Sequence, residues 1–166
     1  MKFTALFLVG ILAWTAATPA RAAMPDVPYS TSLKADAQLA KSRGVPLLVM
    51  FSAPHCAYCE RLLSEFLLPM QRNPEYASKV LMRRVEVGST ETLTDFNGKP
   101  TTQGDFATQH QITLAPTIVV FDHHGKAAAD PLVGLGPVDY YGGYLDAAID
   151  AGLAKIAGNK PGQRLN

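Results

Sequence analysis

Leu47-Leu48-Val49-Met50-Phe51-Ser52-Ala53-Pro54-His55-Cys56-Ala57-Tyr58-Cys59 holds an unbroken apolar run, a turn and the only two cysteines of the chain. Residues 47–51, bounded by Pro46 and Pro54, read as a short strand covered on both faces. Beyond the cysteines, residues 60–68 place Leu62, Leu63, Phe66 and Leu67 at helical spacing. Pro69 is expected to kink or end that helix. The cysteine pair thus falls where a strand turns into a helix, with Cys56 at the helix N-terminus.

That spacing decides what the cysteines are for. A disulfide across so short a loop contributes about 2 kcal/mol in the chain-entropy model, against about 4.7 for a 100-residue loop. It is a weak staple but a good redox couple, because it closes and reopens with little change elsewhere. A helix N-terminus carries roughly half a positive charge and unpaired N–H groups, and both favour a thiolate at Cys56. A thiol of pKa about 8.5 is a few per cent ionised at pH 7, whereas one at about 7 is half ionised. Cys56 is the expected nucleophile, and Cys59, one turn further in, the resolving thiol.

The N-terminus sets the compartment. Lys2 precedes an apolar run over residues 3–17, and Ala20 and Ala22 supply the small residues of an A-x-A cleavage site. Residues 1–22 read as a signal peptide cut after Ala22, since about 15 apolar residues fall short of the roughly 20 of a spanning helix. An exported, periplasmic protein of 144 residues is expected, enough for one domain with a real core. Lys2 and Arg21 leave with the signal, so 13 of the 15 basic residues face 14 acids and the mature net charge is −1. Such a balance creates no field to gather nucleic acid or anionic lipid. Exported domains commonly gain stability from widely spaced disulfides, and this pair is not of that kind.

Residues 23–32, with Pro25 and Pro28, read as a flexible lead-in, residues 33–154 as the folded domain, and 155–166 as a flexible polar tail. Leu33–Arg43 has helical spacing between Ser32 as N-cap and Gly44 as stop. Asn73-Pro74 starts a short helix over 75–79. Residues 80–87 read as a second strand with Leu81, Val85 and Val87 on one face. Residues 88–102 are polar and turn-rich and read as an extended surface loop. A short helix over 104–110, a strand over 117–121, a turn over 122–125, a weak strand at Leu132-Val133 and a closing helix over 138–153 follow. This order predicts an α/β fold, a central mixed sheet of four to five strands with helices on both faces.

Phe51-Ser52-Ala53-Pro54-His55-Cys56-Ala57-Tyr58-Cys59 followed by a helix, and later Ala115-Pro116-Thr117-Ile118-Val119-Val120-Phe121, resemble the two signatures of the thioredoxin superfamily. The resemblance spans roughly residues 33–153. It implies that Pro116 is cis and lies against the disulfide, and that Ala115 offers its main chain to an incoming peptide. Tyr58 completes a Tyr-Cys ending found in exported isomerases and oxidases and joins Ala115 and Pro116 as a substrate contact. Among its members the chain is most similar to exported bacterial thioredoxin-like proteins, including the sulfur-oxidation thioredoxin and the C-terminal domain of the disulfide-bond reductase. The resemblance implies a monomeric thiol–disulfide oxidoreductase acting on protein thiols and disulfides. It implies recharging by a membrane thiol-electron carrier, and no cofactor other than the Cys56–Cys59 disulfide. Reduction is the expected direction; an oxidase or isomerase is the alternative, but those enzymes carry a helical insertion or a dimerisation domain.

Two positions depart from thioredoxin itself. Its buried aspartate, six residues before the first cysteine, is Met50 here, so the proton of the resolving thiol must move through water or another group. Glu86, near the end of its strand, is a candidate substitute, set against a solvated surface acid. Its tryptophan before the first cysteine is His55 here. A protonated His55 would stabilise the Cys56 thiolate, and an exposed ring that only shapes the groove is the equal alternative.

Readings from other classes are a metal-binding or delivery protein using the Cys56 and Cys59 thiolates, and a redox-inert peptide-binding module. His123-His124 reads as a solvated turn rather than a metal site, and His110 as a favourable charge at a helix end. Gly134-Leu135-Gly136 is not a dinucleotide motif, because Pro137 intervenes and Asp139 stands at the third glycine position.

Overall fold

The computed structural model describes residues 26–158. The signal peptide read at 1–22, its cut after Ala22 and residues 159–166 lie outside the described residues.

The apolar run becomes β1, Leu47–Ser52, whose six side chains are all buried. It is one of the two inner strands of a four-stranded mixed sheet together with β2 (Leu81–Glu86), β5 (Thr117–Phe121) and β6 (Leu132–Val133), in the order β2-β1-β5-β6. β1 runs parallel to β2, from Leu47↔Leu81 to Ser52↔Glu86, and antiparallel to β5, from Leu47↔Phe121 to Phe51↔Thr117. Because side chains alternate along a strand, β1 feeds two separate cores. Leu48 and Met50 join Met82, Ile118 and Val120 beneath the cysteine helix and the closing helix. Leu47, Val49 and Phe51 join Leu81, Val85, Val119 and Phe121 beneath two helices on the other side.

Helix α1, Leu33–Arg43, begins and ends as its caps predict: the Ala35 N–H donates to the Ser32 hydroxyl, and Gly44 takes the left-handed conformation at φ 70°. Pro69, expected to kink or end the cysteine helix, does not end it. Helix α2, Ala57–Leu62, continues through a π turn over Leu63–Leu67 into α3, Leu68–Arg72. In that turn the Leu68 N–H bonds back to the Leu63 carbonyl. A proline ring crowds the carbonyl four residues before it, and the wider π turn lies over that residue, Glu65. Helix α4, Pro74–Ala77, is capped by Asn73 and tied to the closing helix by the Tyr76 hydroxyl, which donates to Asp146 at 2.7 Å.

Three expectations are corrected. Residues 88–102 are not an extended loop: they form a hairpin of β3 (Thr92–Thr94) and β4 (Pro100–Thr102). Leu93 is 2% exposed and belongs to the second core, and the Phe96 ring packs 5.1 Å from Phe121 and 6.0 Å from Phe106. From Asp26 onward the lead-in is an extended strap along the outer edge of β2. The Ser30 N–H donates to the Arg84 carbonyl and the Arg84 N–H to the Pro28 carbonyl, both at 2.8 Å. Val27 is fully buried. The Ser30 hydroxyl and the Arg83 guanidinium both donate to Asp36 of α1 at 2.6 Å. The closing helix α6, Val138–Gly158, runs past the expected boundary, because Ile156 is still buried and Lys155 donates to the Ala127 carbonyl at 2.6 Å.

His110, at the end of helix α5 (Gln103–Gln109), is a packing residue rather than a helix-end charge. Its ring lies 4.3 Å from Phe106 and 5.4 Å from Phe121, and burial pushes its pKa below the ordinary 6.5.

Two measurements check these placements. Leu93→Ala is expected to cost about 2–5 kcal/mol in urea unfolding, where a surface-loop position would cost less than about 0.5. Burial lowers the His110 pKa in the folded state, so the unfolded chain binds a proton first as pH falls; its contribution is whole above pH about 6.5 and is lost as pH falls below that value through the depressed folded pKa. The drop in Tm between pH 7.5 and pH 5 should accordingly be smaller in His110→Phe than in the wild-type protein.

Candidate active site

β1 ends at Ser52, and the chain reverses into α2 within four residues, 53–56. The reversal is made by His55, which adopts the left-handed conformation at φ 55°; histidine is among the non-glycine residues found there more often than most. Its side chain is exposed. Cys56 is the N-cap of α2: its carbonyl accepts from the Cys59 N–H at 2.9 Å and the Glu60 N–H at 3.1 Å. The Cys59 N–H also points at the Cys56 Sγ, at 3.1 Å. The two cysteines form a disulfide, with Cα atoms 5.1 Å apart.

The sulfurs occupy different surroundings. Cys59 is 3% exposed, within the apolar core that contains Met50 and Leu62. Cys56 is half-buried and packs against the rim of that core. Tyr58, between them, is 64% exposed. One sulfur open to solvent at a helix N-terminus and a second held in apolar surroundings one turn behind it suit dithiol exchange.

The Ala115–Pro116 peptide is cis, and Ala115 packs against the same core as Cys56. The carbonyls on either side of Ala115 are already engaged. The Thr117 hydroxyl donates to the Leu114 carbonyl, and the Gly134 N–H to the Pro116 carbonyl, each at 2.8 Å. Leu114 and Val133, 60% and 58% exposed, leave apolar surface beside this loop. In the sequence Gly134 stands out only as part of Gly134-Leu135-Gly136, which is not a dinucleotide motif. Its part in the site depends on φ of 74° and on that bond to Pro116, neither of which a local pattern shows.

Glu86 is not gathered to the sulfurs. It lines a cavity with Tyr29, Thr31, Ser89, Glu91 and Gln103 that neither cysteine touches, and its N–H donates to the buried Gln103 side chain at 2.6 Å. His123 binds the Val45 carbonyl through Nε2 at 2.9 Å, and the His124 N–H donates to Asp122; the pair belongs to a turn. Among the described residues, no three His, Cys, Asp or Glu side chains gather into a metal-holding group.

A family model described as a thioredoxin-like domain matches residues 33–149. The chain belongs to the thioredoxin-like domain family. Thioredoxin from Malassezia sympodialis shares the fold at a TM-score of 0.51 and 21% identity, over 82% of this chain and 99% of that one. Oxidised thioredoxin O2 from Arabidopsis thaliana aligns at a TM-score of 0.48 and 18% identity, over 74% and 94% of the two chains. No curated protein sequence matches the chain. A thioredoxin-like domain with its two cysteines at disulfide distance is a thiol–disulfide oxidoreductase.

The unequal exposure of the two sulfurs is directly measurable. In the reduced protein, iodoacetamide should alkylate Cys56 at least about tenfold faster than Cys59, read by peptide mapping. The pH midpoint of the Cys56 reaction should lie below the ordinary thiol value of about 8.5.

Proposed function

We propose that this thioredoxin-like protein is an exported, periplasmic reductase of protein disulfides that works as a monomer. The observation that carries the reading is the half-buried Cys56 at a helix N-terminus with Cys59 buried behind it. In the reduced protein the Cys56 thiolate attacks one sulfur of a substrate disulfide. A mixed disulfide forms, and the other substrate sulfur leaves as a thiolate and takes a proton. The Cys59 thiol gives up its proton and attacks the Cys56 Sγ, forming the Cys56–Cys59 bond and expelling the second substrate thiolate. Two electrons pass from the dithiol to the substrate.

Ala115, Pro116 and Tyr58 are the proposed docking residues, with the Ala115 main chain pairing with the substrate backbone as family resemblance implies. The apolar surroundings of Cys59 and Met50 hold no acid in the place thioredoxin keeps one, so the Cys59 proton leaves through water reaching the open Cys56 side. A membrane thiol-electron carrier restores the dithiol by the same exchange run in reverse. Export rests on the charge, apolar run and A-x-A pattern of residues 1–22.

Cys56→Ser should abolish insulin-disulfide reduction, and Cys59→Ser should accumulate a mixed disulfide visible on a non-reducing gel. Equilibration in glutathione or dithiothreitol buffers should give a reduction potential near or below about −230 mV. A value above about −180 mV would place the protein with oxidants and isomerases instead, with His55 the first side chain to vary. N-terminal sequencing of the protein from a periplasmic fraction should begin at Ala23.

A further inference from the structure

Tyr141 joins three parts of the active site that are remote in sequence. Its hydroxyl donates to the Gly134 carbonyl at 3.2 Å, and the Gly134 N–H donates to the Pro116 carbonyl at 2.8 Å. Its ring lies 5.2 Å from that of Phe66, inclined at 56°. Phe66 belongs to the π turn that continues the cysteine helix. A single side chain of α6 therefore touches the cysteine helix through its ring and the cis-proline loop through its hydroxyl and Gly134.

The link is well placed to matter. Tyr141 is 2% exposed, and burial pushes its pKa up to about 12, so the hydroxyl remains a donor throughout the working range. Gly134 is the soft member of the chain. At φ 74° and without a side chain, nothing of its own restrains it. The tyrosine hydroxyl fixes the peptide on one side of it, and the Pro116 carbonyl holds the peptide on the other.

We propose that Tyr141 is a positioning residue of the redox site, holding the cis-proline loop in register with the cysteine helix so that a substrate main chain can pair at Ala115. The proposal rests on the reading of Ala115 and Pro116 as the docking loop. Tyr141 acts on docking and not on the sulfur chemistry. A loosened loop must be ordered by the substrate itself, and that cost appears in KM.

Tyr141→Phe removes the hydroxyl and keeps the ring against Phe66. With insulin as substrate, KM should rise about three- to tenfold, the equivalent of one lost hydrogen bond, with kcat within twofold of wild type. The rate with 5,5′-dithiobis(2-nitrobenzoate), a small disulfide that needs no main-chain docking, should be unchanged. An insulin KM equal to wild type in folded Y141F overturns the proposal, as does an equal loss of rate on both substrates. Phe66→Leu carries the same test from the helix side should Y141F fail to fold. A wild-type protein that reacts with the small disulfide but not with insulin would instead overturn the protein-reductase reading, and the docking role with it.

Discussion

β1 has no solvent-facing side chain, and most of the molecule is arranged to satisfy that one condition. A strand apolar on both faces needs a layer of helix on each side and a strand along each edge. Burial of each such Val, Leu, Met or Phe side chain is worth about 1.5–3 kcal/mol, so the central position of β1 is set more firmly than any surface contact. The turn that follows is too short to carry the chain away from the strand end. The next helix must start there, and its N-terminus is delivered to the rim of the sheet with Cys56 on it.

One helix then creates two unlike sulfurs. At the N-cap, the N–H of Cys59 points at the Cys56 Sγ and the helix dipole adds to its effect, so negative charge is favoured there. One turn later Cys59 is packed among apolar side chains, where a thiolate is disfavoured by poor solvation. The difference needs no specialised charged partner. It follows from a cysteine at the N-cap of an amphipathic helix and another on its buried stripe.

The sheet edges are managed by segments whose sequence looks unremarkable. An open β2 edge would present unpaired N–H and C=O groups. The strap over residues 26–32 covers it through main-chain bonds to Arg84, and the Arg84 guanidinium lies over the Tyr29 ring at 4.3 Å. Asp36 binds the strap to α1 and β2 together, by Ser30 and Arg83. On the other side of the sheet, Gly152 lets α6 approach Pro46 and Val120 so closely that an added Cβ would stand 2.8 Å from both.

What was legible in the sequence was what local physics decides. The two-faced strand, the caps of α1 at Ser32 and Gly44, β5, the short β6 and the cysteine pair on a strand-to-helix turn are written in spacing and in cap residues, and the structure has them there. The hairpin over 92–102 was not legible, because Leu93 and Phe96 are isolated apolar residues in a polar stretch and set up no period. Nor was the persistence of the helix through Pro69, which depends on a change of helical pitch upstream of it. At the site, the sequence alone determined the chemistry: two thiols at a spacing suited to exchange. Only the tertiary structure decided their setting, because the exposure of each sulfur, the place of Glu86 in a cavity that neither cysteine touches and the link from Tyr141 through Gly134 to Pro116 depend on contacts between separate segments of the chain. Such contacts exist only once two faces of one strand have been buried together.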